Sequence, residues 1–347
     1  MKHASKISIL NTAAALSLLL SASSCAKVSI DNPGQTERYI GFTSAVETKA
    51  PVESSNKMGE FAVWAAHYNP DGSLSSPLPM DGIEVYKDNS GAWVYDDLKL
   101  WENGYWHFEA FYPLPSDLQV TEPVQGQDAL EVIFTAPKGE GAALEGLTVN
   151  YYYGPTASHD LMTAEHTRTY MGTDPNASVP VAFKFNHLLS RVTIAVKTNS
   201  SNVSLTTLTF SGMSVLGEYN GAENSGKWRL LTEFKELSKV PPGSFSADPS
   251  KITSPLPSDG PPVDVLSDLL LIPQTPGDGT NGLAPINVVV SYTLNGGQPE
   301  TKTVSLPSSP AWEPGRHYRY TLSVGSADVT LKIDVEDWDK KDYSVRW

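Results

Sequence analysis

The chain has 347 residues and a formal charge of −14, with 18% charged and 10% aromatic residues, 26 glycines and 26 prolines. So acidic a balance argues against nucleic acid as a partner, because phosphate binding needs a basic surface. The aromatic content excludes a disordered tail, and the glycines and prolines point to many turns.

Residues 1–24 read as a lipoprotein signal peptide. Lys2 and Lys6 make a basic start, residues 7–20 are mostly apolar, and Ser21, Ala22, Ser23 and Ser24 run into Cys25. The apolar stretch is short and interrupted by Asn11 and Thr12, which suits a cleaved signal better than a membrane span. Cys25 is the only cysteine and sits where a bacterial lipoprotein signal is cut and the new N-terminal cysteine acylated. An ordinary signal with an incidental cysteine is the alternative. Lipidation at Cys25 would leave no thiol, which excludes disulfides and thiolate catalysis. Without Lys2 and Lys6 the chain carries 23 basic against 39 acidic residues, a charge of −16. The roughly 320 residues that remain exceed what one core usually serves, so two domains are expected.

Residues 25–38, polar and broken by Pro33 and Gly34, read as a lipid tether. From residue 39 the apolar residues alternate or come in short runs with almost no sustained helical period. Strand-like runs cover 39–46, 61–68, 82–86, 93–95, 106–112, 130–134 and 147–153, separated by turn residues such as Asn69-Pro70-Asp71-Gly72 and Glu102-Asn103-Gly104. A break at 174–178 divides an N-terminal domain, 39–178, from a C-terminal domain, 179–347. The second series covers 179–185, 191–196, 205–210, 263–272, 286–294, 301–306, 318–324 and 329–335, with 241–262 read as a long surface loop. The clearest alternation sets Val329, Leu331, Ile333 and Val335 against Thr330, Lys332, Asp334 and Glu336, a half-buried strand. Short helical turns are the alternatives near 160–166 and 187–190. The fold class is all-β, with antiparallel β-sandwiches in series.

Candidates for chemistry are sparse. His159 and His166, with Asp160 and Glu165, make a loose cluster whose spacing does not suit a metal on a helix or hairpin. The loops at 69–73 and 277–282 lack the closing acidic ligand of a calcium loop. There is no G-x-S-x-G elbow. Asp334, Glu336, Asp337 and Asp339 surround Trp338, but a solvated strand edge explains them better than an acid/base pair. Neither a catalytic residue, a metal nor a cofactor is expected. Trp93, Tyr95, Trp101, Tyr105, Trp106, Phe108, Phe111 and Tyr112 crowd twenty residues. Exposed, they would form a sugar-stacking platform; alternating as they do, they read as sandwich core.

Ten segments, in order, carry a resemblance: YIGFTSAVETKA (39–50), FAVWA (61–65), WVY (93–95), LW (100–101), WHFEAFYP (106–113), DLMTA (160–164), VAFKFNHLLSRV (181–192), LIPQ (271–274), WEPGRHYRY (312–320) and VEDW (335–338). Together they resemble the fimbrillin family of Bacteroidota, the Mfa-like pilins and tip or anchor proteins of type V fimbriae. The resemblance implies two transthyretin-like β-sandwiches, export as an outer-membrane lipoprotein, and a place in a cell-surface fimbrium that contributes to adhesion. It also implies assembly by strand exchange. A trypsin-like protease cuts after an Arg that follows the first strand, the strand leaves a hydrophobic groove, and a donor strand from a neighbouring subunit fills it.

Mapped onto this chain, the exchangeable first strand is 39–46, with Ile40, Phe42, Ser44 and Val46 facing one way. The cut would follow Lys49, a departure from the family's Arg; Arg38 lies before the strand rather than after it. A Lys-tolerant protease, an uncleaved anchor or tip subunit, and an uncleaved surface lipoprotein all fit. At the C-terminus Tyr343, Val345 and Trp347 alternate with polar residues, either as a donor strand or as the last strand of the second sandwich. The implied partners are other pilin subunits, the outer membrane through the lipid, and a host protein or glycan. A surface lipoprotein that binds glycan or host ligand through aromatic and loop surfaces is the competing reading.

Overall fold

The computed structural model describes residues 38–46, 58–118, 129–136, 146–152, 159–172, 178–221, 227–234, 237–238, 240–248, 255–277, 285–325 and 328–338. Within them the protein is all-β: strands in five sheets, with one helical turn at Pro115–Leu118. No helix among the described residues is long and apolar enough to cross a membrane.

The first sheet has seven strands in the order β1 (Phe42–Val46), β9 (Val181–His187), β8 (Met162–Tyr170), β5 (Gly104–Tyr112), β2 (Glu60–Tyr68), β3 (Met80–Lys87) and β4 (Trp93–Val94). Its inner strand β2 is buried along nearly its whole length, because both faces are covered. Phe61, Val63 and Ala65 enter one core with Phe108, Trp106 and Met162, while Ala62 and Trp64 enter another with Phe111. The crowded aromatics are therefore core: Tyr95, Trp101, Trp106, Phe108 and Phe111 are all buried. The sheet curls around the first core until its ends meet, and Tyr39 forms an antiparallel bridge with Leu100.

The second core is larger and continuous. It is lined by two four-stranded sheets, β17 (Val263–Leu271), β10 (Ser190–Thr198), β20 (Arg316–Val324) and β21 (Val329–Asp337), and β16 (Gly243–Ser246), β11 (Val203–Met213), β18 (Asn287–Leu294) and β19 (Glu300–Ser305). Val192, Ile194, Phe210, Val288, Tyr292, Tyr320 and Leu322 fill the space they enclose. A further sheet of β13 (Lys227–Leu230), β12 (Leu216–Asn220), β7 (Leu147–Tyr152) and β6 (Ala129–Phe134) adds Leu147, Val149 and Tyr151 to the same core. β9 lies in the first sheet, and this sheet joins strands from before and after residue 178. Pairing thus runs across the 178/179 line.

Most pairings are antiparallel, but β1–β9 and β10–β20 are parallel. Two local expectations are corrected. Residues 160–166 make no helical turn; Met162–Tyr170 is strand β8. The stretch 241–262 is not all loop, because β16 pairs with β11 and buries Phe245.

Candidate strand-exchange site

β1 is five residues long and stands at the edge of the first sheet. It runs parallel to β9 in a register that pairs Phe42 with Val181, Ser44 with Phe183 and Val46 with Phe185. The alternation in its sequence sets its faces. Ile40 and Phe42 are 0% and 4% exposed, Thr43 is exposed, and Ser44 is half-buried. The side chains of Ile40, Phe42 and Ser44 therefore point inward together; of Val46 only the backbone is described.

Phe42 is the anchor of the strand. Its ring stacks on Phe183 at 5.6 Å and 14°, and meets Tyr95 at 5.3 Å and Phe108 at 6.3 Å edge-on. Phe61 closes the group from the opposite wall, with its ring 5.8 Å from Phe183 and 5.2 Å from Phe185. Such aromatic pairs add attraction beyond the area they bury. The backbone around residue 40 is held from both sides. Ile40 N–H donates to Lys99 O (2.8 Å), Trp101 N–H to Arg38 O (3.0 Å), and Val181 N–H to Gly41 O (2.7 Å). The Tyr95 hydroxyl donates to Ile40 O (2.8 Å) and accepts from Lys99 N–H (3.1 Å). Burial pushes that phenol up to about 12, so it stays a neutral donor.

An apolar edge strand whose removal would open an aromatic groove is the geometry required for pairing with a neighbour's strand. A fimbrillin-like family model matches residues 48–338. The chain belongs to this family. No curated protein matches the chain. Among solved structures, a fimbrial protein from Bacteroides vulgatus is similar over 87% of this chain and 99% of that one, with 18% identity and a TM-score of 0.57. A candidate cell adhesion protein from Bacteroides ovatus aligns over 89% and 100% of the two chains, at 14% identity and a TM-score of 0.52. At these identities the structural likeness speaks for the fold.

The other site residues expected from the sequence, Cys25, Lys49, Tyr343, Val345 and Trp347, lie outside the described residues. The titratable clusters are structural pairs in this fimbrillin-like fold. Asp160 leaves the loose His159–His166 grouping and pairs with His187 at 2.9 Å, and His187 stacks on Trp338 at 4.3 Å. Sequence reasoning missed this pair, because its members stand on separate segments with no shared spacing. His166 sits on β8, its pKa lowered first by burial and then by Arg168. Asp334 pairs with Lys332 at 2.7 Å, Asp337 pairs with Arg316, and Glu336 is exposed. A cavity of about 170 Å³ lies between β5, β8 and β9 on one side and Leu147, Tyr219 and Gly221 on the other. The carboxylate of Glu109 there meets His107 Nε2 at 3.0 Å and accepts from Leu147 N–H at 2.9 Å. Among the described residues, no group of three or more His, Cys, Asp or Glu is placed to hold a metal ion.

Proposed function

We propose that the chain is a structural subunit of a surface fimbrium, exported as a lipoprotein acylated at Cys25 and polymerised by exchange of its first strand, without catalysis. The observation that carries this reading is the position of β1. It is an edge strand whose Ile40 and Phe42 complete an aromatic core, and it leads directly into the segment that holds Lys49. A cut after Lys49 would leave β1 bound only by non-covalent contacts. Its departure would uncover Phe183, Phe108 and Tyr95 together with the unpaired edge of β9.

Each large apolar side chain returned to water costs about 1.5–3 kcal/mol, so the opened groove is a strong acceptor for another strand. In this reading the strand comes from a second copy or a related pilin, with Tyr343, Val345 and Trp347 as the donor side chains. Pairing of buried backbone then makes a fibre without covalent links. The departure at Lys49 assigns the cut to a protease that accepts lysine. A chain left uncut would serve as an anchor or tip subunit.

Limited digestion of the purified full-length chain with a lysine-specific endoprotease tests the proposal. The expected outcome is a new N-terminus at Ala50 followed by ladders that resist SDS. Cleavage at Lys49 that leaves a stable monomer, still holding its first strand, would sink it.

A further inference from the structure

β1 and the residues that lead into it are held very differently. Around Arg38–Phe42 the chain is clamped on both sides: by Val181 on one, and by Lys99, Trp101 and the Tyr95 hydroxyl on the other. Ile40 and Phe42 are fully packed there. From Ser44 to Val46 the ladder to β9 is the only sheet pairing among the described residues. Within this half the Ser44 hydroxyl is shut off from solvent and has no hydrogen-bond partner among the described residues. A buried donor without a partner weakens the element that carries it, because its bonds to water are lost and not replaced.

We propose that Ser44 is the weak point of the resident strand, and that an incoming strand displaces β1 from the Ser44–Val46 end toward Ile40. This rests on the reading that β1 is exchanged at all. Its chemical content is a preference: the groove takes a strand with an apolar side chain at the Ser44 register more tightly than it takes its own. The partner that fits is thus a β-segment of a second pilin chain with an aromatic residue at the Phe42 register and an apolar one two positions later. The weak half also adjoins the segment with Lys49, so a cut there frees the end that is already least held. Local opening begins where contacts are fewest.

Three labelled peptides spanning 39–49 make the test, offered to the full-length chain after cleavage at Lys49: the native sequence, Ser44→Ala and Ser44→Thr. Alanine removes the hydroxyl and adds no volume, so its peptide should bind about tenfold tighter than the native one. The threonine peptide, which keeps the hydroxyl, should gain nothing. In the full-length chain, Ser44→Ala should slow release of the cut strand about tenfold. Amide hydrogen exchange in the wild type should be faster at Ser44–Val46 than at Phe42. Native and Ala peptides that bind equally well, or an Ala peptide that binds worse, would overturn the assignment of Ser44 while leaving strand exchange intact. If no peptide enters the cleaved protein, strand exchange itself fails and the inference falls with it.

Discussion

The phenol of Tyr95 joins two segments that are distant in the chain: its own loop, through Lys99 N–H, and the backbone at Ile40. Its pKa, pushed up to about 12 chiefly by burial, links the first strand to pH. Tyr320, buried in the second core beside Trp312, is also pushed up to about 12. A raised pKa means that the folded chain keeps a proton the unfolded chain gives up from pH 10 onward. This contribution is complete below pH 10 and is lost as the pH rises from 10 toward 12. A shift of this size corresponds to about 3 kcal/mol per tyrosine. Urea unfolding followed between pH 9 and 12 should therefore show stability falling through that window, and Tyr95→Phe should flatten part of the fall. A stability that does not change up to pH 12 would contradict the burial of both phenols. Individual residues were legible from sequence where a turn demanded them. The Asn103-Gly104 turn is one case: Gly104 has φ +141°, and a Cβ there would lie 2.0 Å from Tyr68 O.

Strand β8 shows what hides an element. Even-numbered residues from Met162 to Tyr170 point inward and odd-numbered ones outward, but two of the inward positions are His166 and Arg168. Arg168 lies over the Trp101 ring, 4.7 Å from its centroid, so a cation does the work of an apolar residue and the hydrophobic alternation disappears. β16 was hidden by its neighbours, since 241–262 is rich in proline and serine. β21 was plain because apolar and polar residues alternate from Val329 to Glu336, although burial follows that alternation only as far as Ile333. The element that completes the proposed assembly is the C-terminal segment. Deleting 340–347 should abolish polymer growth after cleavage at Lys49, while the monomer melts within a few degrees of the intact chain. Gel ladders and circular dichroism read the two outcomes. Fibres that form as before would remove Tyr343, Val345 and Trp347 from the donor role.

For the whole molecule, the proposed export and lipid anchoring rest on the first twenty-five residues. Cys25→Ser should end incorporation of labelled palmitate and shift the protein from the membrane fraction to the soluble one, without changing its fold. Retention of the label would place the lipid elsewhere. Strand content, aromatic core and family membership could all be read from the chain, because alternation and turn chemistry are local and need no knowledge of a strand's neighbour. Which strands pair was decided by the tertiary structure alone. A period of two says which side chains share a face, yet is silent on whether the edge beside β1 belongs to β9 or to another strand. It does not foretell a parallel ladder. Nor does it reveal that β9 joins the first sheet from beyond the expected boundary, or that the Ser44 hydroxyl is buried without a partner among the described residues. Those facts come from packing between segments far apart in sequence, where the fit of Phe42 against Phe183, Phe108 and Tyr95 sets the register.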